Sequence, residues 1–177
     1  GGVGISRLVI LCLGLWLSST KGAHIYAKYV VFLTAANLVT SIGLMGVNVR
    51  ILALQDSELS QLRPIERSGF FLLVCAMLFI IANHQFTRVY DTFLGHVAMY
   101  SLGYYLLSVS GSIENRDHAH AYCGMYWAFV SLLAGLAAII GVCILPQWSS
   151  VGIFSSTWLI ASVIIWYRVH RTITVQS

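Results

Sequence analysis

The sequence predicts an all-α protein, a polytopic transmembrane helical bundle of about six spanning helices with both termini cytoplasmic. Three observations carry this expectation. Of 177 residues, 58% are hydrophobic and only 9% charged, where a soluble domain carries about 25% charged residues. The apolar residues gather into runs long enough to span, a helix needing about 20 residues at about 1.5 Å each. The ten Lys and Arg residues stand singly near the ends of those runs, as cations do when they meet lipid headgroups.

Six runs read as spans: 1–19, 25–49, 68–84, 90–111, 123–145 and 151–167, forming a single transmembrane domain over 1–177. The first spans if Arg7 snorkels to the headgroups. It is followed by Ser18-Ser19-Thr20-Lys21-Gly22 and lacks a clear cleavage box, so it reads as a retained helix rather than a signal peptide. The second is long enough to span with tilt. A polar stretch from Gln55 to Arg67 then holds Pro64 and half of the acidic residues. Within it, 51–66 reads either as a short amphipathic helix with Ile51, Leu54, Leu59 and Leu62 facing lipid, or as a plain polar loop. Pro146 ends the fifth run, and the link to Ser150 is short enough to make runs five and six an antiparallel hairpin.

Orientation follows from charge. Arg7, Arg50, Arg63, Arg67, Arg116, Arg168 and Arg171 fall on one side, and Lys21, Lys28 and Arg88 on the other. Seven against three places both termini in the cytoplasm by the positive-inside rule.

Two intramembrane patterns point to helix packing. Gly124, Ala128, Ser131, Gly135 and Ala138, with Ala134 and Gly141 alongside, recur at helical spacing on the fifth span. Small residues let helix backbones approach closely where lipid provides no hydrophobic drive. Packing within the chain is the plainer reading, and a partner helix the sharper one. On the second span Thr34, Asn37, Ser41 and Asn48 share one face, which should point into the bundle because polar groups in hydrocarbon need partners. Cys12, Cys75 and Cys143 fall within apolar runs and Cys123 opens one, so they read as buried free thiols rather than a disulfide framework. Trp148, Trp158, Trp166, Tyr167, Tyr90 and Tyr122 read as anchors at the membrane interfaces.

Catalytic chemistry has no signature. The chain contains no nucleophile elbow, HExxH or phosphate-cradling glycine loop, and no paired intramembrane carboxylates. No metal site is expected either, because Asn115-Arg116-Asp117-His118-Ala119-His120 reads as a solvated loop. No basic cluster suits nucleic acid. No cofactor is expected; the group that the six histidines would take is haem, with His96, His84 and His120 as the candidate ligands. Every Asp, Glu, Lys and Arg lies near a helix end or in a loop, which disfavours ion-coupled transport.

The layout resembles the DRAM/Frag-type membrane proteins. Ala82-Asn83-His84-Gln85-Phe86 closes the third span, Asp91 opens the fourth and Trp158 lies in the sixth. These are similar to an Asn-Phe-Gln element, an aspartate and a tryptophan of that family. The likeness covers about residues 25–168, and the sizeable outer loop between spans one and two is missing here. A tetraspan of the claudin type fits worse, since no outer cysteine pair follows Gly14-Leu15-Trp16. The resemblance implies a non-catalytic modulator of membrane traffic, autophagy or a channel.

The function expected from these readings is a non-enzymatic multi-pass protein, a scaffold, regulator or accessory subunit of a membrane complex. Its partners would be the lipid bilayer and other membrane subunits. The alternatives are a haem- or pigment-binding redox subunit, and a small-molecule or lipid transporter.

Overall fold

A computed structural model describes residues 2–21, 23–82, 94–117, 121–144 and 150–176. Seven α-helices appear among them: α1 (Gly2–Lys21), α2 (Ala23–Gly43), α3 (Val47–Ala53), α4 (Leu62–Ala82), α5 (Leu94–Asp117), α6 (Ala121–Ile144) and α7 (Ser150–Gln176). A 3₁₀ turn, Asp56–Gln61, joins α3 to α4, and the described residues contain no strand.

Boundaries differ from the expected runs for local reasons. The 25–49 run is two helices, α2 and α3, bent by 43°. The break is at Gly46, whose φ of 74° is left-handed and suits a residue without a Cβ. α4 starts six residues before the expected span, and Pro64 is tolerated there because the first turn needs no N–H donor. α5 runs on to Asp117, so the expected loop from 112 begins as helix, with Ser112 and Ile113 buried. Ile51 and Leu62 are buried against protein rather than facing out from an interfacial helix.

α5 is the hub. It packs on α2, α3, α4, α6 and α7, and its most extensive interface is with α7. Seven consecutive residues, 107–113, are buried, which takes in every side of the helix over two turns. Four of its serines, Ser101, Ser108, Ser110 and Ser112, are buried too. Two of the hydroxyls have carbonyl acceptors: Ser110 donates to Leu106 (2.8 Å) and Ser101 to Ala36 of α2 (3.2 Å). The outer helices show the reverse. Leu8 and Leu15 of α1, Phe71 and Phe79 of α4, and Leu136 of α6 are all exposed. Buried serines inside and large apolar groups outside make a bundle whose exterior suits hydrocarbon.

Three helical segments are long and apolar enough to cross a membrane, Leu62–Ala82, Gly124–Gly141 and Ser150–Thr172; counting the bent α2–α3 pair as one span makes up to four. The apolar part of α1, Gly4–Thr20, is shorter. α5 is long enough, and its serines, glycines and tyrosines, most of them buried or half-buried, lower its hydropathy.

The core is aromatic where α2, α5, α6 and α7 meet. Tyr100 and Trp158 lie 4.8 Å apart, Tyr104 and Trp127 4.4 Å, and Phe32 and Tyr100 5.5 Å between ring centroids. Such offset and edge contacts each add about 0.5–1.5 kcal/mol beyond area. Trp158 is fully buried at the centre of this cluster, so it is a core residue and not an interfacial anchor.

Candidate functional site

α4 and α7 both lean on α5 but form no extensive contact with each other. The gap between them is a groove of about 1510 Å³. On α4 the lining residues Arg63, Glu66, Arg67, Phe70 and Val74 recur at three- and four-residue steps, which puts them on one face. That face passes from charged to apolar along the helix. α5 supplies Tyr105, Leu106 and Val109, and α7 supplies Trp166, Tyr167, His170 and Arg171, the last two one turn beyond the aromatics. The result is one amphipathic cleft with a cationic end and an apolar, aromatic remainder.

Two interhelical bonds set the charged end. The Tyr105 hydroxyl donates to the Glu66 backbone carbonyl at 2.6 Å, tying α5 to α4. Gly69 makes room for it: a Cβ there would stand 2.6 Å from the phenol oxygen and 2.8 Å from the Gly43 carbonyl. The second bond crosses from α4 to α7, where His170 Nε2 lies 2.8 Å from Glu66 Oε1. His170 Nδ1 lies 3.0 Å from the Trp166 carbonyl, and its ring lies tilted by 35° against Trp166 with centroids 4.4 Å apart. A carbonyl at one ring nitrogen and a carboxyl at the other fit an imidazolium beside an ionised Glu66, or a neutral ring beside a protonated Glu66. In both forms the pair carries no net charge. The cleft's charge therefore comes from Arg63, Arg67 and Arg171.

The residues expected to act in packing divide into two groups. On α6, Ser131, Gly135 and Ala138 are buried, and Gly124 and Ala128 half-buried. The stripe packs within the chain. Ser131 Oγ lies 2.6 Å from Ser6 Oγ of α1 and donates to the Trp127 carbonyl at 2.6 Å, so Ser6 provides the proton of the first contact. A Cβ on Gly135 would come 2.9 Å from Val9 of α1, and one on Gly141 would press on Ile153 of α7. Closer approaches to backbone atoms occur elsewhere, where a Cβ on Gly103 would meet Leu159 and one on Gly69 the Gly43 carbonyl.

Asn37 corrects the expectation for the second span. It is exposed, as are Thr34 and Ser41, and only Asn48 is half-buried. The polar stripe thus lies on the outer side of α2, because Tyr29, Phe32, Ala36, Val39 and Thr40 take the inner side. Thr34 meets its need locally by donating to the Val30 carbonyl at 2.9 Å. Cys12, Cys75 and Cys143 are likewise exposed on the apolar exterior rather than buried.

Of the candidate haem ligands, His84 and His120 lie outside the described residues. His96 is half-buried at the start of α5, its Nδ1 3.5 Å from Ser155 Oγ, with its ring against Gly152. Among the described residues no three His, Cys, Asp or Glu side chains come together as a metal site.

The sequence reading missed the groove. Arg63, Arg67, Arg168 and Arg171 were legible as a charged boundary, but Glu66 and His170 are 104 residues apart, and nothing local links them. No protein-family model matches the chain, and neither a curated protein nor a solved structure does.

Proposed function

We propose that the chain is a non-enzymatic integral membrane protein of about six spans, with both termini cytoplasmic, that holds a membrane-borne ligand in the α4–α5–α7 groove. In that role it acts as a scaffold, regulator or accessory subunit of a membrane complex. The observation that carries this is the groove itself, an open cleft flanked by exposed Phe70 and Phe71 and ending in three arginines. A ligand arriving from the lipid phase could enter sideways with its apolar part along α4 and its polar part at the arginines. The same kind of role is what the resemblance to DRAM/Frag-type proteins implies. Among the described groove residues no nucleophile stands beside a base, and the nearest pair, Glu66 and His170, is occupied with bridging two helices.

Photo-crosslinking in a native membrane tests the reading. A photoreactive residue at Val74 or Leu106 should capture a defined molecule, whereas one at Leu78, exposed outside the groove, should capture bulk lipid. Identical products at all three positions would sink the proposal.

A further inference from the structure

We infer that the groove's ligand is an acidic phospholipid of the surrounding bilayer, its phosphate seated by Arg63, Arg67 and Arg171 and one acyl chain lying along Phe70, Val74 and Leu106. The inference rests on the groove reading above and names its occupant. Arg63 and Arg67 are one helical turn apart on the face lining the cleft, and Arg171 faces them from α7. Planar guanidinium groups match phosphate oxygens in pairs, which an ammonium point charge does not.

Glu66, the one carboxylate among the described lining residues, would repel an anion if it were unpaired. Glu66 is instead held 2.8 Å from His170, a pair with no net charge. Among the described lining residues, three guanidinium groups therefore stand at this end of the cleft beside a pair with no net charge. The remainder fits an acyl chain. From Arg67 to Val74 the α4 wall extends about 10 Å at 1.5 Å per residue, and beyond Arg67 its lining residues, Phe70, Phe71 and Val74, are all apolar. Trp166 and Tyr167 stand where the charged and apolar parts meet, the level aromatic side chains favour in membranes. The volume of about 1510 Å³ exceeds the roughly 300–1,000 Å³ of sites for drug-sized ligands, as an elongated amphiphile requires. An acidic helix from a partner would need the cleft to continue along the whole of α4, yet its α4 lining stops at Val74, about a helical turn and a half before Ile80.

The full chain in nanodiscs of phosphatidylcholine with a minor share of phosphatidylserine provides the test, with retained lipid identified by native mass spectrometry. Phosphatidylserine should be retained preferentially. R171Q should lower that preference about fivefold and R63Q/R67Q, which removes two contacts, about thirtyfold, at roughly 1 kcal/mol for each charged contact. Arg168, exposed and outside the lining, provides the control, and R168Q should leave the preference intact. A phosphatidylcholine carrying a photoreactive acyl chain reports the groove separately. Labelling at Val74 and Leu106 without any headgroup preference would overturn the phosphate assignment and leave the groove reading standing. Labelling spread evenly onto Leu78 and Leu136 would overturn both. Retention of a peptide in place of lipid would also overturn the assignment.

Discussion

Gly103 of α5 lies directly beneath Trp158 of α7: a Cβ on the glycine would stand 2.7 Å from the indole Cδ1 and 3.1 Å from the Leu159 Cα. The missing side chain lets the hub helix and α7 meet almost backbone to backbone, which is how the largest interface in the bundle closes over a tryptophan. The indole N–H is buried with no hydrogen-bond acceptor among the described residues. It lies among the rings of Tyr100, Trp127 and Phe154, and weak N–H···π contacts are the interaction such a site offers.

Gly103→Ala should therefore destabilise the protein despite improving helix propensity. Alanine gains about 1 kcal/mol over glycine within a helix, whereas overpacking against a backbone atom that cannot move aside costs about 1–3 kcal/mol. Gly95, in the same helix with open space around it, is the control, and Gly95→Ala should be neutral or stabilising. Thermal unfolding in detergent compares the two, and equal midpoints would show that the α5–α7 contact is looser than described.

The bridge between Glu66 and His170 should show as coupling rather than as two independent losses. Both side chains are largely shielded, at 14% and 22% exposure, so more of the interaction survives than in a surface ion pair, where about 0.2–1 kcal/mol is usual. A double-mutant cycle of Glu66→Gln and His170→Gln should give a coupling of about 1 kcal/mol. Additive effects would mean that the two helices are not joined there.

The α6 stripe makes a graded prediction. Ser131→Ala removes a hydroxyl contact to Ser6 and should cost about 0.6 kcal/mol, the average for hydrogen bonds between membrane helices. Gly135→Leu should cost about 1–3 kcal/mol by forcing Val9 and α1 outward. Because the neighbour is a helix of the same chain, the damage should appear as lost folding. A folded Gly135→Leu protein that only loses a copurifying subunit would contradict that.

Much of the architecture was readable because spacing and composition determine it locally. Run lengths locate the long described helices but not the separate α3, and Ser131 and Gly135 of the small-residue stripe on α6 are buried. Three things were not readable. A hydropathy reading cannot distinguish lipid from protein as the neighbour of an apolar side chain, so Trp158 was placed at an interface when it lies in the core. It also cannot see that α5, poorest in apolar residues, is the most enclosed helix, since enclosure depends on what the other helices do. The groove required α4 and α7 to stand apart across α5, a tertiary fact with no trace in either segment.

Asn37 turns that limitation into a measurement. Its position near the middle of the 25–49 run suggests a partner inside the bundle, yet the aromatic and small residues of α2 claim the inner face and leave the carboxamide exposed. If Asn37 bonded another helix of this chain, Asn37→Leu would cost about 0.6–1.7 kcal/mol, the range found for such bonds. With Asn37 facing outward nothing within the chain is lost, and a carboxamide in hydrocarbon is replaced by a side chain that hydrocarbon solvates better. Asn37→Leu should thus leave the unfolding midpoint unchanged or raise it, in detergent as in a bilayer. A fall in detergent would mean that α2 is rotated from its described orientation. A rise in both solvents would still agree with the outward face, because a detergent micelle also presents hydrocarbon to it.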